Sequence, residues 1–170
     1  MATSPSQAKN ALLRSLRGIV DPYPTSTGVG KVWAHFKSKC AYCGKKLKRS
    51  DRNGHQDHLV TFQDGGGNDL GNYVLACGGC NGDEKREEAW ETFLRRKNPK
   101  EATFLRRKAT IEAWVTSNAA TRRYIPEEHR NAVTDAFERI TSVLNAAIEQ
   151  LRALKHPLAS SPKPCSESAL

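Results

Sequence analysis

Two matched cysteine pairs constrain this chain more than any other feature. Cys40-Ala-Tyr-Cys43 and Cys77-Gly-Gly-Cys80 each form a Cys-x-x-Cys turn, with residues 44 to 76 between them. Each turn can offer two sulfurs to one ion, and Gly44, Gly78 and Gly79 permit tight turns there. Together the pairs supply four thiolates, the donor set of a closed, tetrahedral zinc site. A redox Cys-x-x-Cys or a set of buried thiols would not need two matched pairs. A zinc held this way contributes folding free energy directly.

The residues inside the cysteine frame carry chemistry. Asp57 and His58 sit in an extended run, Gln56-Asp-His-Leu-Val-Thr-Phe62, flanked by apolar residues. A turn-rich stretch from Asp64 to Asp69 follows, and its glycines at 65 to 67 read as a flexible connection. A second strand signal, Asn72-Tyr-Val-Leu-Ala76, leads into the second cysteine pair. Asn81 comes directly after that pair, and a helical pattern is expected from about Asp83. The order is strand, loop, strand, knuckle, helix.

On these residues the segment from about 38 to 90 resembles the zinc-containing HNH endonucleases, which have a ββα-metal core. Cys40, Cys43, Asp57-His58, Asn72, Cys77, Cys80 and Asn81 carry the resemblance. It implies that His58 is the general base and that Asn72 holds the loop and orients His58. It implies that Asn81 and Asp57 bind a catalytic divalent cation, with Mg²⁺ the expected ion. Where many family members carry a Pro shortly after the Asp-His pair, this chain has Leu59-Val60-Thr61. Where many carry one Lys three residues after the last motif position, it has Lys85 and Arg86, four and five residues after Asn81.

Elementary chemistry asks for the same groups. Hydrolysis of a phosphodiester needs an activated water, charge neutralisation at phosphorus and a stabilised leaving oxygen. An imidazole with a reference pKa of ~6.5 can accept a water proton near neutrality. A hard cation prefers oxygen donors such as the Asp57 carboxylate and the Asn81 amide. Two metals with different tasks are therefore expected: zinc on sulfur for structure, and Mg²⁺ or a similar ion on oxygen for catalysis.

The flanks are helical and basic. A first helix is expected over residues 4–19, capped by Ser4 with Pro5 in its first turn and Leu12, Leu16 and Ile19 on one face. Val29, Val32, Trp33 and Phe36 have helical spacing and lead a short helix into the first knuckle. Gly28-Val-Gly-Lys31 lacks the spacing of a phosphate-binding loop. The run Lys45, Lys46, Lys48 and Arg49 serves equally as a solvated turn or a nucleic-acid contact. Of the net charge of +9, residues 85 to 125 hold eleven Lys plus Arg against five Glu. Thr92-Phe-Leu-Arg-Arg-Lys97 returns as Thr103-Phe-Leu-Arg-Arg-Lys108, with Pro99 between, which predicts two helices. Arg95, Arg96, Arg106 and Arg107, with Lys85 and Arg86, are the expected nucleic-acid-binding cations. A final amphipathic helix is expected from Pro126 to about Lys155, its apolar stripe running from Val133 to Leu151 and packing on the chain's own core rather than on a second copy.

The expected architecture is α+β and mostly helical: a small ββα-metal core with a structural zinc knuckle pair and flanking helices. A single nuclease domain over residues 1–157 is expected, with the motif core at 38–90, a helical extension at 91–157 and a disordered tail at 158–170 containing Cys165. The expected function is metal-dependent hydrolysis of DNA, with RNA an open alternative substrate. The competing reading is a non-catalytic zinc-ribbon module that only binds nucleic acid. No apolar run approaches the ~20 residues that span a bilayer, and the start lacks a signal-peptide pattern. A cytoplasmic location fits metal-binding thiols. The resemblance also implies settings such as restriction, phage defence, homing or repair, and a homodimer or larger complex where both strands are cut.

Overall fold

The computed structural model describes residues 4–154. The expected tail at 158–170, with Cys165, lies outside the described residues. The chain divides into two compact units, Arg17–Asn131 and a second made of the segment through Leu16 with the segment from Ala132 onward.

The Arg17–Asn131 unit is built on an antiparallel strand pair. β1 (Gly54–His58) pairs with β2 (Tyr73–Cys77), and the register runs from Gly54 opposite Cys77 to His58 opposite Tyr73. All of β2 is buried, as its sequence Tyr-Val-Leu-Ala-Cys requires. On one side lies α2 (Ser26–His35), whose Thr25 hydroxyl caps Gly28 N–H at 3.3 Å. Its Val32 and Trp33, with Phe36 just after, enter the core. Gly28 to Lys31 are thus helix residues, not a phosphate loop.

The two Phe-Leu-Arg-Arg-Lys copies lie on α3 (Trp90–Lys97) and α4 (Glu101–Ser117), separate helices parted at Pro99. Phe93, Leu94, Phe104, Ile111 and Trp114 fill the same core as β2. The Trp114 indole N–H donates to the Leu70 carbonyl at 2.8 Å, so this Trp is a core anchor. The helix expected from about Asp83 is displaced. Gly79–Glu84 form one wide π-helical turn, Arg86 takes a left-handed φ of 46°, and regular helix resumes only at Trp90. The departure has a local cause: the turn must place Cys80 in the thiol cluster and Lys85 under β1.

The glycine loop is also unlike its expectation. Gly65, Gly66 and Gly67 are buried, and a Cβ on Gly66 would fall 2.1 Å from the Val60 carbonyl oxygen. Gly65 accepts from Ile125 N–H at 2.9 Å. These glycines serve close packing of backbone on backbone rather than flexibility.

The second unit holds the first turns of α1 (Pro5–Val20) and most of α5 (Glu127–Ala153). Ser4 and Gln7 form a reciprocal cap on α1, with Gln7 N–H to the Ser4 hydroxyl at 3.3 Å and Ser4 N–H to Gln7 Oε1 at 2.8 Å. On α5 Val133 is buried, whereas Val143 and Leu151 are 72% and 63% exposed. The apolar stripe is therefore not fully covered. Among the described residues no helix is long and apolar enough to cross a membrane.

Candidate active site and thiol cluster

The sulfurs of Cys40, Cys43, Cys77 and Cys80 lie within 4.8 Å of one another, and Cys43 Sγ is 3.7 Å from Cys77 Sγ. A tetrahedron with Zn–S of ~2.3 Å has sulfur edges of about 3.8 Å, so the cluster has the size of a closed zinc site. Backbone bonds shape each turn: Gly44 N–H closes the first onto the Cys40 carbonyl at 2.8 Å, and Lys85 N–H reaches the Cys80 carbonyl at 3.1 Å. Ala41 N–H joins the first knuckle to Leu75 of β2 at 2.7 Å. Charge also speaks for a cation. A hydrogen bond from Cys80 holds Cys40 down at about 4, while burial beside that thiolate pushes Cys43 up to about 11. Without a cation one thiolate suppresses the next; a divalent ion removes that repulsion.

Strand alternation places Asp57 and His58 on opposite faces of β1. Asp57 faces inward and is 7% exposed. Its Oδ2 accepts from the Tyr42 hydroxyl at 2.6 Å and pairs with Lys85 Nζ at 3.2 Å. Burial pushes the Asp57 carboxyl up, and Lys85 opposes that shift by its charge. Lys85 is only 2% exposed, and its ammonium also donates to the His58 carbonyl at 3.0 Å. The cation expected to face nucleic acid is turned inward, where it braces both residues of the Asp-His pair. Arg86 remains at the surface.

A buried pair of this kind is strongly asymmetric in its energetics: removing one partner leaves the other charged and dry. Asp57→Ala is expected to destabilise the protein by about 3–5 kcal/mol, read from urea unfolding. The double variant Asp57→Ala/Lys85→Met is expected to recover much of that loss. Asp57→Asn keeps an acceptor for Tyr42 and is the better probe of any role in cation binding.

His58 is half-buried against the Tyr73 ring, with ring centroids 4.3 Å apart. Its Nε2 lies 3.0 Å from Asn68 Oδ1. The Asn68 amide is oriented by its other end, where Nδ2 donates to the Asp21 carbonyl at 2.5 Å. Oδ1 therefore faces His58 and also accepts from the Tyr73 hydroxyl at 2.5 Å. An amide oxygen only accepts, so His58 Nε2 carries the proton and Nδ1 keeps its lone pair. Burial pushes the His58 pKa down, and the charges of Arg17 and Lys85 act in the same direction. The hydrogen bond to Asn68 and the charge of Asp57 oppose that shift without reversing it, so burial favours the neutral ring, the form that accepts a proton.

Asn68 is itself anchored, since its backbone N–H donates to Asp21 Oδ2. Asp21 is 2% exposed and pairs with Arg123 at 2.9 Å. Sequence reasoning missed Asn68, Asp21 and Tyr42. The signal for Asn68 was faint, a polar residue inside a glycine-rich run; Asp21 lies far away in sequence and only the fold brings it in.

Asn72 staples the loop after His58. Its Oδ1 accepts from Val60 N–H at 2.8 Å, and its Nδ2 donates to the carbonyls of Val60 and Gly67, both at 2.9 Å. Its own carbonyl accepts from Leu59 N–H at 2.9 Å. Asn81 lies half-buried on the π-helical turn behind Cys80. No hydrogen bond ties it to Asp57 among the described residues.

Of the expected nucleic-acid cations, Arg95 is paired with Glu101, and Arg96 with Glu88 at 2.7 Å. Arg107 reaches Asn98 Oδ1 at 3.0 Å and the Cys43 carbonyl at 3.2 Å, and Arg106 is exposed on α4.

Comparison with known proteins agrees with this layout. Residues 40–87 match the family model described as HNH endonuclease, a span that runs from the first knuckle past Lys85. No curated protein matches the chain.

Proposed function

We propose, taking residues 40–87 as an HNH endonuclease segment, that this protein hydrolyses phosphodiester bonds in DNA. We read residues 1–157 as one nuclease domain around that segment. The observation that carries the proposal is the placement of His58: a ring fixed through Nε2 by Asn68, beside the buried Asp57–Lys85 pair.

In this mechanism a water bound at Nδ1 of His58 loses its proton to the ring as its oxygen attacks phosphorus in line with the leaving oxygen. Asn68 keeps the ring from turning while the charge on it changes, and its oxygen favours the imidazolium that forms. Lys85 holds the His58 backbone, and Asn72 holds the loop that follows. Asp57 keeps Oδ1 for a divalent cation, because both of its contacts use Oδ2. The Asn81 amide offers a second oxygen, and these are donors a hard cation accepts. Such a cation, Mg²⁺ or similar, would polarise the phosphoryl oxygen and stabilise the leaving oxygen. The Cys40, Cys43, Cys77 and Cys80 thiolates would hold zinc as a structural ion. One site of this kind cuts one strand, so cutting both takes two copies or two events.

One observation favours the competing reading of a zinc module that only binds nucleic acid. Asp57 is engaged by Tyr42 and Lys85, as a purely structural carboxylate would be. Incubation with supercoiled plasmid, with and without Mg²⁺ or Mn²⁺, separates the two. Cation-dependent nicking is the expected result. Binding without nicking in any divalent cation would leave the binding module.

A further inference from the structure

The charge on α3 and α4 is not spread evenly. Of the six cations in the two repeats, four face carboxylates: Arg95 on Glu101, Arg96 on Glu88, Lys97 on Glu84 and Lys108 on Glu91. Among the described residues Arg106 and Arg107 have no such carboxylate. Both line a cleft of about 470 Å³ outside the first knuckle, together with His35, Lys37, Lys39 and Gly44. Among the described residues no Asp or Glu lines it. It shares no residue with the Asp57–His58 site.

The cleft has one rigid donor and three exposed ones. The Arg107 guanidinium is tied to Asn98, which is buried and donates in turn to the Tyr42 carbonyl at 2.9 Å. It lies across Gly44, where a Cβ would fall 2.1 Å from Nη2. A guanidinium fixed this way loses little freedom when it meets an anion. Lys37 and Ser38 take left-handed φ values of 51° and 54°, a costly conformation for two successive non-glycine residues. That bend leads directly into Lys39 and the knuckle.

We propose that this cleft is a second nucleic-acid contact, taking a backbone phosphate and its sugar, with Arg107 as fixed donor and Lys37, Lys39 and Arg106 around it. The cleft has room for a stretch of strand as well as for its phosphate. The identity of the ligand rests on the nuclease reading; the charge arrangement does not.

The test measures anisotropy of a labelled duplex over a series of salt concentrations, in a His58→Ala background that prevents cutting. Lys37→Gln/Arg106→Gln is expected to weaken binding and lower the slope of log K against log salt by about 0.9, the value for one lost phosphate contact. Lys97→Gln/Lys108→Gln removes equal charge from carboxylate-paired positions and is expected to leave the slope nearly unchanged. Melting temperatures check that both variants fold. An unchanged slope in the Lys37/Arg106 variant, or equal loss in the control, overturns the proposal. Inorganic phosphate, added as competitor, should displace duplex no better than chloride at equal ionic strength; saturation of the cleft by phosphate with the duplex slope unaffected would overturn the strand assignment. Wild-type cleavage is assayed separately. Its absence alongside the expected slope change would reject the nuclease reading and retain the cleft.

Discussion

Stripping metal from the four-cysteine cluster is expected to unfold the Arg17–Asn131 unit rather than merely silence it. The two strands are five residues each, and the first knuckle and β2 meet through the cluster and the Ala41–Leu75 bond. Structural zinc in small domains carries apparent binding free energies of about 10–16 kcal/mol, as large as the whole net stability of a typical domain, about 5–15 kcal/mol. A strong chelator, or Cys77→Ser, should therefore remove the cooperative thermal transition of this unit. Elemental analysis of the purified protein should find zinc at one ion per chain. Folded protein without zinc would refute the four-thiolate site.

His58→Ala is expected to give the largest loss of turnover with the smallest change in structure. The ring contributes packing against Tyr73 and one hydrogen bond to Asn68, and its deletion touches neither the thiol cluster nor the Asp57–Lys85 pair. General-base catalysis is worth ~10² to 10⁴ in rate, so the fall should be in kcat while duplex affinity stays near that of the wild type. Added Mg²⁺ or Mn²⁺ should not restore it, whereas Asp57→Asn should respond to added cation. Wild-type rates in the His58→Ala variant would remove His58 from the mechanism.

Much of the core was legible because cysteine spacing, strand alternation and proline are local signals. The paired cysteines announced the cluster, the extended runs announced both strands, and Pro99 announced the break between α3 and α4. Lys85 was misplaced for a physical reason. A lysine in a charged segment reads as solvent-facing, and its burial became visible only once the π-helical turn had brought it under Asp57. The glycine loop was read as flexible because composition cannot distinguish a glycine that moves from one that lets two backbones touch. Arg95 and Arg96 group with Arg106 and Arg107 in the sequence because charge balance across helices depends on which glutamates face which cations. The positioning of His58 by Asn68 and Asp21 joins residues remote in sequence, and nothing local marks it.

The β1–β2 ladder carries one more consequence. Side chains alternate with a period of two, so a slip by a single residue would turn His58 into the core and put Asp57 at the surface. Ten residues of backbone pairing give little protection against such a slip. The ladder is instead clamped at its ends. Cys77, opposite Gly54, is held in the thiol cluster; beyond the other end, the Asn72 side chain binds both the N–H and the carbonyl of Val60, as a further strand residue would. The cysteines thus set more than stability. They fix the phase of the strand, and with it which of two neighbouring residues pairs with Lys85 and which turns to Asn68.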